Sequence, residues 1–380
     1  MKKIIYLDNG ATTKVRKEVV KAMLPYFSDK YGNPSSPHGL GEQAKIGIDR
    51  AREIIAREIN SKPWEIFFTS GGTEANNLAL FGLAHSKLGK KKKKIVIGAI
   101  EHSSIVEPCG YLSKEGFEIV EISVGLDGLL NLELLKNKID EETLLVSIIH
   151  GNNEIGVVQD IARIGDICRE KKAIFHTDAV QSFGKENIDV KKMNIGLLSA
   201  SAHKINGPKG TGFLYVREGI NLEPLVIGGG QERGLRGGTE NAAGIFGFAK
   251  ALELIKKVDR NKVQKLRDYF MLNLEKSGGY IQGSRKKRLW NNVNVSFSGA
   301  DAEMLVLYLS QKNIMCSTKS ACLSKQNKET KVLSALGLSK QEIIGSLRFV
   351  LSDEIKKKDI DKTIMMIRKY LSQSKARCST

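Results

Sequence analysis

Two side chains that could do chemistry together each follow an apolar run of the sequence. Asp178 ends the run in AIFHTDAVQ, and Lys204 follows another in SASAHKINGPKG. Burial favours the neutral amine of a lysine, the form that attacks an aldehyde, while a buried carboxylate needs a partner such as a protonated ring nitrogen. Enzymes that use pyridoxal phosphate (PLP) combine these two groups. On spacing alone, an ordinary buried ion pair between Asp178 and Lys204 explains the two residues equally well.

A candidate anion site precedes them in the sequence. The segment EIFFTSGGTEANN reads as a strand, a glycine turn and a helix start, with Gly71, Gly72 and Thr73 at the helix N-terminus. Backbone N–H groups and the helix dipole favour a phosphate there, and the Thr73 hydroxyl adds a donor. The alternative is an ordinary capped helix in which Thr73 and Glu74 make only local contacts. The sequence has neither a P-loop nor a GxGxxG motif that opens a helix after the first strand, so a nucleotide-binding fold is not supported.

Two further polar residues follow predicted strands. His102 comes after KIVIGAI, and its imidazole could stack on a flat ring and exchange protons near neutral pH. Asn153 comes after TLLVSIIHG and could donate to a ring oxygen or a substrate. Each residue also has a plainer explanation, His102 as a satisfied polar group and Asn153 as a turn residue. We expect both to lie near Lys204 and Asp178.

Seven short apolar runs, which alternate with helical patterns, predict the elements that position these residues. That rhythm is typical of an α/β fold in which helices cover both faces of a mostly parallel sheet. Ligands of such sheets bind beyond the carboxyl ends of the strands, where the candidate residues are expected. The predicted strands are EIFFTS, KIVIGAI, FEIVEIS, TLLVSIIHG, AIFHTDA, IGLLSAS and TGFLYV.

A second, smaller unit is predicted to follow the glycine-rich segment GGGQERGLRGGTEN. A long helical pattern from Ala242 to about Lys276 leads into it. We expect domains of residues 1–255 and 256–380, with an N-terminal arm that can pack on the smaller domain. The elements predicted for the smaller domain are a strand at 291–297, a helix at 302–309, a strand in SLRFVLS and a final helix that ends near Tyr370.

Composition and charge limit the class of protein. The 380 residues carry a formal charge of +18, which could attract RNA, but no RNA-binding signature accompanies the lysines, so a basic RNA-binding or scaffold protein is the weaker alternative. No apolar stretch is long enough to span a membrane, and Asp8 ends the N-terminal apolar run too early for a signal peptide, so a cytoplasmic location is expected. Five scattered cysteines without a CxxC pair predict neither a disulfide framework nor a zinc site.

The chain resembles the cysteine desulfurases of the NifS/IscS type, a class V branch of the PLP-dependent aminotransferase-like family. The resemblance covers nearly the whole chain and rests on YLDNGATT, YGNPSSPHG, FTSGGTEANN, EHSSI, HGNNEIGVVQDI, HTDAVQS, SASAHKINGPKG, GGGQERGLRGGTEN, NNVNVSF and SACLS, in that order. It implies PLP fold type I, with a mostly parallel seven-stranded sheet between helices and a smaller C-terminal α+β domain. It also implies that L-cysteine gives L-alanine while its sulfur passes to the protein. A selenocysteine lyase or another class V PLP enzyme is the alternative within the family.

The resemblance implies a role for each motif residue. Lys204 would form the Schiff base with PLP, Asp178 would hold the pyridinium nitrogen, and His102 would stack on the ring and act as acid or base. Arg348 would clamp the substrate carboxylate. Phosphate binding would fall to Gly72, Thr73, Ser201 and His203, with Thr239 reaching the phosphate of the partner subunit across a homodimer interface. Gln181 and Asn153 would contact the ring hydroxyl and the substrate, and Asn33 would contact the substrate.

Cys322 would accept the sulfur as a persulfide on a long loop that extends to about Val332. An acceptor protein would then receive the sulfur for iron-sulfur cluster assembly or for thiolation of tRNA. No metal is expected in the resting enzyme, although Cys322 could transiently ligate an iron-sulfur cluster together with a scaffold protein. A second thiol, Cys316, is expected to be buried in a strand.

The sequence departs from the family pattern in two places. Lys319 stands where members usually have glycine, and we expect it to stiffen the loop and to lower the thiol pKa of Cys322. After Arg348 the chain has Val350, Leu351 and Ser352 in place of Ser-Leu-Gly, which changes the packing behind the arginine.

Overall fold

A seven-stranded sheet with helices on both faces forms the larger part of the molecule, and a three-stranded sheet with its own helices forms the smaller part. The computed structural model describes residues 3–318 and 331–378, and their side chains up to residue 373. The strands are β1 (Ile5–Tyr6), β2 (Ile66–Thr69), β3 (Lys94–Gly98), β4 (Glu118–Ile122), β5 (Thr143–Ile149), β6 (Ile174–Asp178), β7 (Leu197–Ser201), β8 (Gly212–Val216), β9 (Tyr280–Ile281), β10 (Asn292–Ser296), β11 (Ile314–Met315) and β12 (Ser346–Val350). The α-helices are α1 (Lys17–Met23), α2 (Pro25–Ser28), α3 (Gly39–Glu58), α4 (Gly72–Ala84), α5 (Ser103–Lys114), α6 (Leu132–Lys138), α7 (Ile161–Glu170), α8 (Ala242–Ile255), α9 (Arg260–Glu275), α10 (Ala302–Gln311), α11 (Lys331–Ala335), α12 (Lys340–Ile344) and α13 (Lys357–Cys378).

The large sheet confirms the predicted α/β fold. Its strands lie in the order β2-β8-β7-β6-β5-β3-β4, and they match the seven apolar runs of the sequence. The neighbours from β7 to β4 pair in parallel, whereas β8 runs antiparallel to both β7 and β2. Between β7 and β8 the chain forms only a short 3-10 turn, Ala202–Lys204. Parallel pairing needs a longer crossover connection, so β8 reverses direction.

Successive residues of the central strands pack in two separate apolar layers. Val96 and Leu198 pack with residues of α3 and α8, whereas Ile95 and Leu197 pack with residues of α4 and α5. Neighbouring side chains of a strand point to opposite faces, so both faces of the sheet are buried. The strands are therefore apolar at consecutive positions, which is why the sequence pattern predicted them.

The carboxyl ends of the parallel strands bring the polar candidate residues to one edge of the sheet. Asp178 is the last residue of β6, and Lys204 ends the 3-10 turn that follows β7. His102 lies between β3 and the start of α5, and α4 begins at Gly72 just after β2. The site described below lies at this edge.

The smaller sheet has the strand order β12-β10-β9 with antiparallel pairing. A separate apolar cluster joins it to α9, α10 and α13 and includes Ile5 and Leu7 from the N-terminus. Strand β1 pairs in parallel with β11, so the N-terminal arm packs on this unit. The separate cluster supports a division between residues 255 and 256, which stays a prediction.

The predicted helical run from Ala242 to Lys276 is two helices, so that prediction was wrong in one respect. Helix α8 ends at Ile255, and α9 begins after Asp259, whose carboxylate accepts a hydrogen bond of 3.0 Å from the backbone N–H of Lys262. The break was missed because the apolar spacing continues across it, while an N-cap depends on a single short side chain. Helix α13 also continues past Tyr370 to Cys378, since no glycine or proline stops it.

Within the described ranges, none of the helices combines the length and the apolar character that crossing a bilayer requires. The same residues contain no cluster of three or more His, Cys, Asp or Glu side chains that could hold a metal ion.

Candidate active site

A cavity of about 260 Å³ at the carboxyl edge of the large sheet gathers most of the predicted site residues. The predicted residues that line it are Gly72, Thr73, His102, Asn153, Asp178, Gln181, His203, Lys204 and Arg348. Its wall also includes six residues for which the sequence predicted no role, namely Gly10, Ala11, Asn76, Ser104, Ile149 and Val180.

The amine of Lys204 is held by backbone carbonyl groups of the N-terminal segment. Its Nζ donates to the oxygen of Gly10 at 2.6 Å and to that of Ala11 at 2.9 Å. Burial, followed by the positive charges of Arg348 and Lys185, lowers the pKa of Lys204 to about 7. A large fraction of this lysine is therefore a neutral amine near neutral pH.

Asp178 is 3% exposed, and each of its carboxylate oxygens accepts a hydrogen bond. Oδ2 accepts from the side-chain amide of Asn76 at 2.8 Å, and Oδ1 accepts from the backbone N–H of Val180 at 2.9 Å. The same amide of Asn76 donates to the hydroxyl of Ser104 at 2.8 Å. Asn76 therefore fixes the direction of the Asp178 carboxylate, and the second-to-last residue of the motif FTSGGTEANN was the signal for it.

The described residues do not form the ion pair between Asp178 and Lys204 that the sequence allowed. Lys204 donates to carbonyl groups, and Asp178 accepts only from neutral amide groups. A buried carboxylate without a cationic partner is costly. The arrangement leaves Asp178 able to pair with a positive group that enters the cavity.

The N-terminus of α4 opens into the cavity through Gly72 and Thr73. A Cβ atom on Gly72 would lie 2.4 Å from Cγ2 of Val180, so glycine lets this helix start approach the turn that follows β6. Glu74 is occupied elsewhere, because it accepts from the backbone N–H of Ser70 at 2.9 Å and pairs with Arg236 at 3.0 Å. The helix end thus keeps the geometry of an anion site.

His203 and Ser201 have different positions relative to this end of the cavity. His203 lines it, and its Nδ1 lies 3.1 Å from the hydroxyl of Thr12. Burial and the charge of Lys204 lower the pKa of His203 to about 4, so the ring is neutral near pH 7. Ser201 is buried, donates to the carbonyl of Thr211 at 3.4 Å and does not line the cavity.

His102 caps α5 and presents a neutral ring to the cavity. Its Nδ1 accepts from the backbone N–H of Ser104 at 3.1 Å, so the ring proton of the neutral form is on Nε2. Burial lowers the pKa of His102, and Lys204 lowers it further, although Asp178 raises it.

The neighbouring Glu101 is a buried acid outside the cavity. Its Oε1 accepts from the backbone N–H of Ile149 at 2.8 Å, and its buried Oε2 has no partner among the described residues. Burial raises the pKa of Glu101 well above its ordinary value, and Asp178 adds to the rise. Glu101 therefore joins the end of β5 to the turn after β3.

Arg348 lies in β12 and is only 2% exposed. Its Nη2 pairs with Oδ1 of Asp8 at 3.0 Å, and its Nη1 donates to the carbonyl of Asn153 at 3.1 Å. Its buried Nε has no partner among the described residues, and the same holds for Oδ1 of Asn153. Gln181 donates from Nε2 to the carbonyl of Gly10 at 2.9 Å.

Two predicted residues lie away from the cavity. Asn33 is exposed, and its Oδ1 accepts from the backbone N–H of Ser35 at 2.9 Å. Thr239 lines a second cavity of about 160 Å³ together with Ser70 and Arg236. The described chain does not bring either residue to Lys204.

The predicted sulfur acceptor, Cys322, lies outside the described residues, as does Lys319. Cys316 is 8% exposed, which confirms that it is buried, but it directly follows β11 and does not lie in a strand as predicted. Burial raises the pKa of its thiol. Behind Arg348, the side chains of Val350 and Leu351 are buried in place of the usual family residues.

Comparison with known proteins gives a consistent assignment. The model of the family described as aminotransferase class V matches residues 5–362. The cysteine desulfurase IscS of Dictyoglomus turgidum is 43% identical over 378 residues, which cover 98% of this chain and 96% of that protein. The cysteine desulfurase IscS of Methanosarcina thermophila is 44% identical over 370 residues, which cover 96% of this chain and 91% of that protein.

Solved structures show the same similarity in three dimensions. A NifS-like protein superposes with a TM-score of 0.91 at 36% identity, covering 97% of this chain and 100% of the other. A structure of SspA in complex with cysteine superposes with a TM-score of 0.83 at 38% identity, covering 91% and 98% of the two chains. Family model, relatives and structures agree over nearly the full length, and the chain therefore belongs to the class V aminotransferase family.

Proposed function

We propose that this protein is a cysteine desulfurase that binds PLP in the cavity and moves the sulfur of L-cysteine to Cys322, giving L-alanine. The names of its relatives, and the cysteine in the complex of the similar SspA, support the reaction and the substrate. The observation that carries the proposal is the arrangement of Lys204, Asp178 and Arg348 around one cavity. An amine with a lowered pKa, a carboxylate that can pair with a ring nitrogen and a guanidinium group are groups that the proposed reaction needs in addition to the thiol of Cys322.

The cavity suits PLP, the cofactor of this family. Among the described residues Asp178 has no cationic hydrogen-bond partner, and it could hold a protonated ring nitrogen, since Asn76 and Val180 direct its oxygens. The start of α4 at Gly72 and Thr73 suits a phosphate group. When bound, PLP supplies an aldehyde and an electron sink for the substrate.

The other predicted contacts to the cofactor follow from where each residue lies around the cavity. His102 would lie against the ring, His203 would donate to the phosphate as a neutral imidazole, and Gln181 and Asn153 would reach the ring hydroxyl or the substrate. Ser201 would contribute to the phosphate site from just behind the wall.

Lys204 would act through its neutral amine, which can take the proton from the Cα atom of the substrate. Arg348 would bind the substrate carboxylate, and the lack of a partner for its buried Nε among the described residues supports this role. His102 would hold or return a proton at Nε2, because its Nδ1 is used by the backbone of Ser104.

Cys322 would take the sulfur, and Cys316 is unsuited to that task. Cys316 is buried, and its raised thiol pKa keeps it protonated near neutral pH. The sulfur would then pass from Cys322 to an acceptor or iron-sulfur scaffold protein. The cytoplasmic location expected from the sequence also stays a prediction.

A homodimer with Thr239 shared between two sites is part of the proposal. Apolar side chains are exposed at Leu24 between α1 and α2, at Phe27 in α2 and on the loop before Thr239, where Ile227 is 86% exposed. Exposed apolar groups of this kind mark protein contacts. A partner that covers Ile227 would lie beside Thr239, because the backbone N–H of Gly237 bonds the carbonyl of Val226 at 2.7 Å.

The test is to incubate the PLP-loaded protein with L-cysteine and a reductant and to measure alanine and sulfide. Equal amounts of both are expected, together with a persulfide on Cys322 when the reductant is left out. Lys204→Ala should remove the cofactor's characteristic absorbance and all turnover, whereas Cys322→Ala should keep the absorbance and form no persulfide. Alanine formed only from selenocysteine would point to a selenocysteine lyase instead. RNA binding with a steep salt dependence and no cofactor absorbance would favour the RNA-binding alternative.

A further inference from the structure

The segment from Asp8 to Thr13 contacts both the amine of Lys204 and the guanidinium group of Arg348, which must act on the same substrate in the proposed reaction. We call it the N-terminal strap. The carbonyl groups of Gly10 and Ala11 hold the amine of Lys204, and the carboxylate of Asp8 holds Arg348. The strap therefore spans from the amine to the guanidinium group within four residues of chain.

The strap is fixed at both ends by hydrogen bonds that do not involve the Asp8 carboxylate. The N–H of Val350 donates to the carbonyl of Leu7 at 2.7 Å, and the side-chain amide of Asn9 donates to the carbonyl of Val350 at 2.8 Å. At its other end, the hydroxyl of Thr13 donates to the carbonyl of His203 at 2.8 Å. Loss of the Asp8 carboxylate would leave these bonds in place.

The guanidinium group of Arg348 packs directly against the strap. A Cβ atom on Gly10 would lie 3.3 Å from Nε of Arg348 and 2.8 Å from Cγ2 of Val350. Asp8 is the carboxylate with which Arg348 forms an ion pair among the described residues. The carbonyl of Asn153 is its other acceptor and carries no charge. Asp8 thus both orients the guanidinium group and balances the charge of a side chain that is almost fully buried.

We propose that Asp8 is a positioning residue for recognition of the substrate carboxylate. It holds Arg348 in one orientation, and the strap sets the distance from that guanidinium group to the amine of Lys204. An amino acid bound by its carboxylate would then present its Cα atom to Lys204. The inference rests on the proposed function, in which Arg348 binds the carboxylate and Lys204 takes the proton.

The test compares Asp8→Ala and Asp8→Asn in the PLP-loaded protein with two probes. L-alanine has the carboxylate, and ethylamine has only the amine, so the dissociation constants of both are measured from the change in cofactor absorbance. Asp8→Ala should weaken the binding of L-alanine about tenfold, a factor that corresponds to about 1.4 kcal/mol. The dissociation constant of ethylamine should be unchanged. Asp8→Asn keeps the size of the side chain and one acceptor oxygen. It should cause a smaller loss of affinity, again for L-alanine and not for ethylamine.

The matched control is Asp353→Asn. Asp353 pairs with Arg16 at 2.7 Å and joins the N-terminal segment to the same part of the small unit, but it does not line the active-site cavity. It should leave both dissociation constants unchanged. With L-cysteine, Asp8→Ala should raise KM more than it lowers kcat.

Three results would overturn the inference. They are unchanged L-alanine binding in both Asp8 variants, an equal loss for L-alanine and ethylamine, and an unsubstituted protein that binds the two probes equally well. The Asn variant decides the matter alone if the Ala variant does not fold. Failure of the proposed function is a separate result, in which the unsubstituted protein forms no alanine from L-cysteine although L-alanine binding still depends on Asp8.

Discussion

The side-chain amide of Asn76 donates a hydrogen bond of 2.8 Å to Oδ2 of Asp178 and so links helix α4 to the end of strand β6. The two residues are 102 positions apart in the sequence. The bond ties the helix whose N-terminus is the candidate phosphate site to the carboxylate that is the candidate partner of the ring nitrogen. Both ends of the cofactor would therefore be held by one connected set of residues.

Replacing Asn76 with alanine should release the Asp178 carboxylate and weaken PLP binding. Loss of a hydrogen bond to a buried charged group destabilises by roughly 1.5–3 kcal/mol, so the free energy of unfolding should fall by about that amount. PLP retained after dialysis and denaturant titration would measure the two effects. Asn77→Ala is the matched control, because the hydrogen bond that Asn77 donates within the described part of the chain goes to the carbonyl of Thr73 in the same helix. Equal retention of PLP in the two variants would contradict the assigned role of Asn76.

The capture of PLP by the apoprotein should depend on pH through Lys204. Its pKa of about 7 is lowered from 10.5, so the reactive neutral amine becomes the major form as the pH rises through about 7. The rate at which the cofactor's bound absorbance appears should rise over that range and then level off.

Lys185 offers a check on the cause of that pH dependence. It is buried, and its positive charge is one of the causes that lower the pKa of Lys204. Lys185→Met should move the midpoint of the capture profile to higher pH. A midpoint that stays in place would show that Lys185 does not act on Lys204.

Thiol reagents should modify Cys322 before Cys316. The Cys316 thiol is buried and has a raised pKa, so little of the reactive thiolate is present near neutral pH. Mass spectrometry of the protein after brief alkylation would measure the order. Equal labelling rates would be incompatible with a buried Cys316, and Cys316→Ala should still form a persulfide on Cys322.

Glu101→Gln should stabilise the protein relative to the unsubstituted chain as the pH rises. The folded-state pKa of Glu101 is raised above its unfolded value near 4.5. The contribution of Glu101 to the free energy of unfolding is therefore largest below pH 4.5, and it is lost as the pH rises toward the folded pKa. Glutamine can keep the bond to the backbone N–H of Ile149 without a charge. Free energies of unfolding between about pH 5 and 8 would show the difference growing in favour of the variant.

Glu107→Gln, an exposed position on α5, is the control for that measurement. Its difference from the unsubstituted chain should stay small across the same pH range. A Glu101 variant that gains no relative stability with pH would show that the buried carboxyl group is not held in its neutral form.

Much of the fold could be predicted because its strands are buried on both faces. Consecutive apolar residues made β3 and β5 clear in the sequence, but their direction is not encoded there, so the reversal of β8 could not be read. The break between α8 and α9 depends on the cap formed by Asp259, which the surrounding apolar pattern obscured.

The residues that carry the chemistry of the candidate site were predicted from the sequence, whereas the residues that hold them in place were missed. Lys204, Asp178 and His102 carry reactive side chains directly after predicted strands, so local sequence is informative for them. Asp8 and Asn76 act by holding such groups, and their partners are distant in sequence, as the 340 positions between Asp8 and Arg348 illustrate. Contacts of that kind come from tertiary packing and leave no local periodic signal.

The attachment of the N-terminal strap also sets an order of assembly during synthesis. Strand β1 pairs with β11 near residue 314, and Asp8 pairs with Arg348, so the N-terminal strap finds partners that are synthesised much later. The large sheet has all its strands once residue 216 has been made, well before that point. A nascent chain can therefore fold most of its larger part while the site remains open on one side, and the site is completed only after Arg348 has been synthesised.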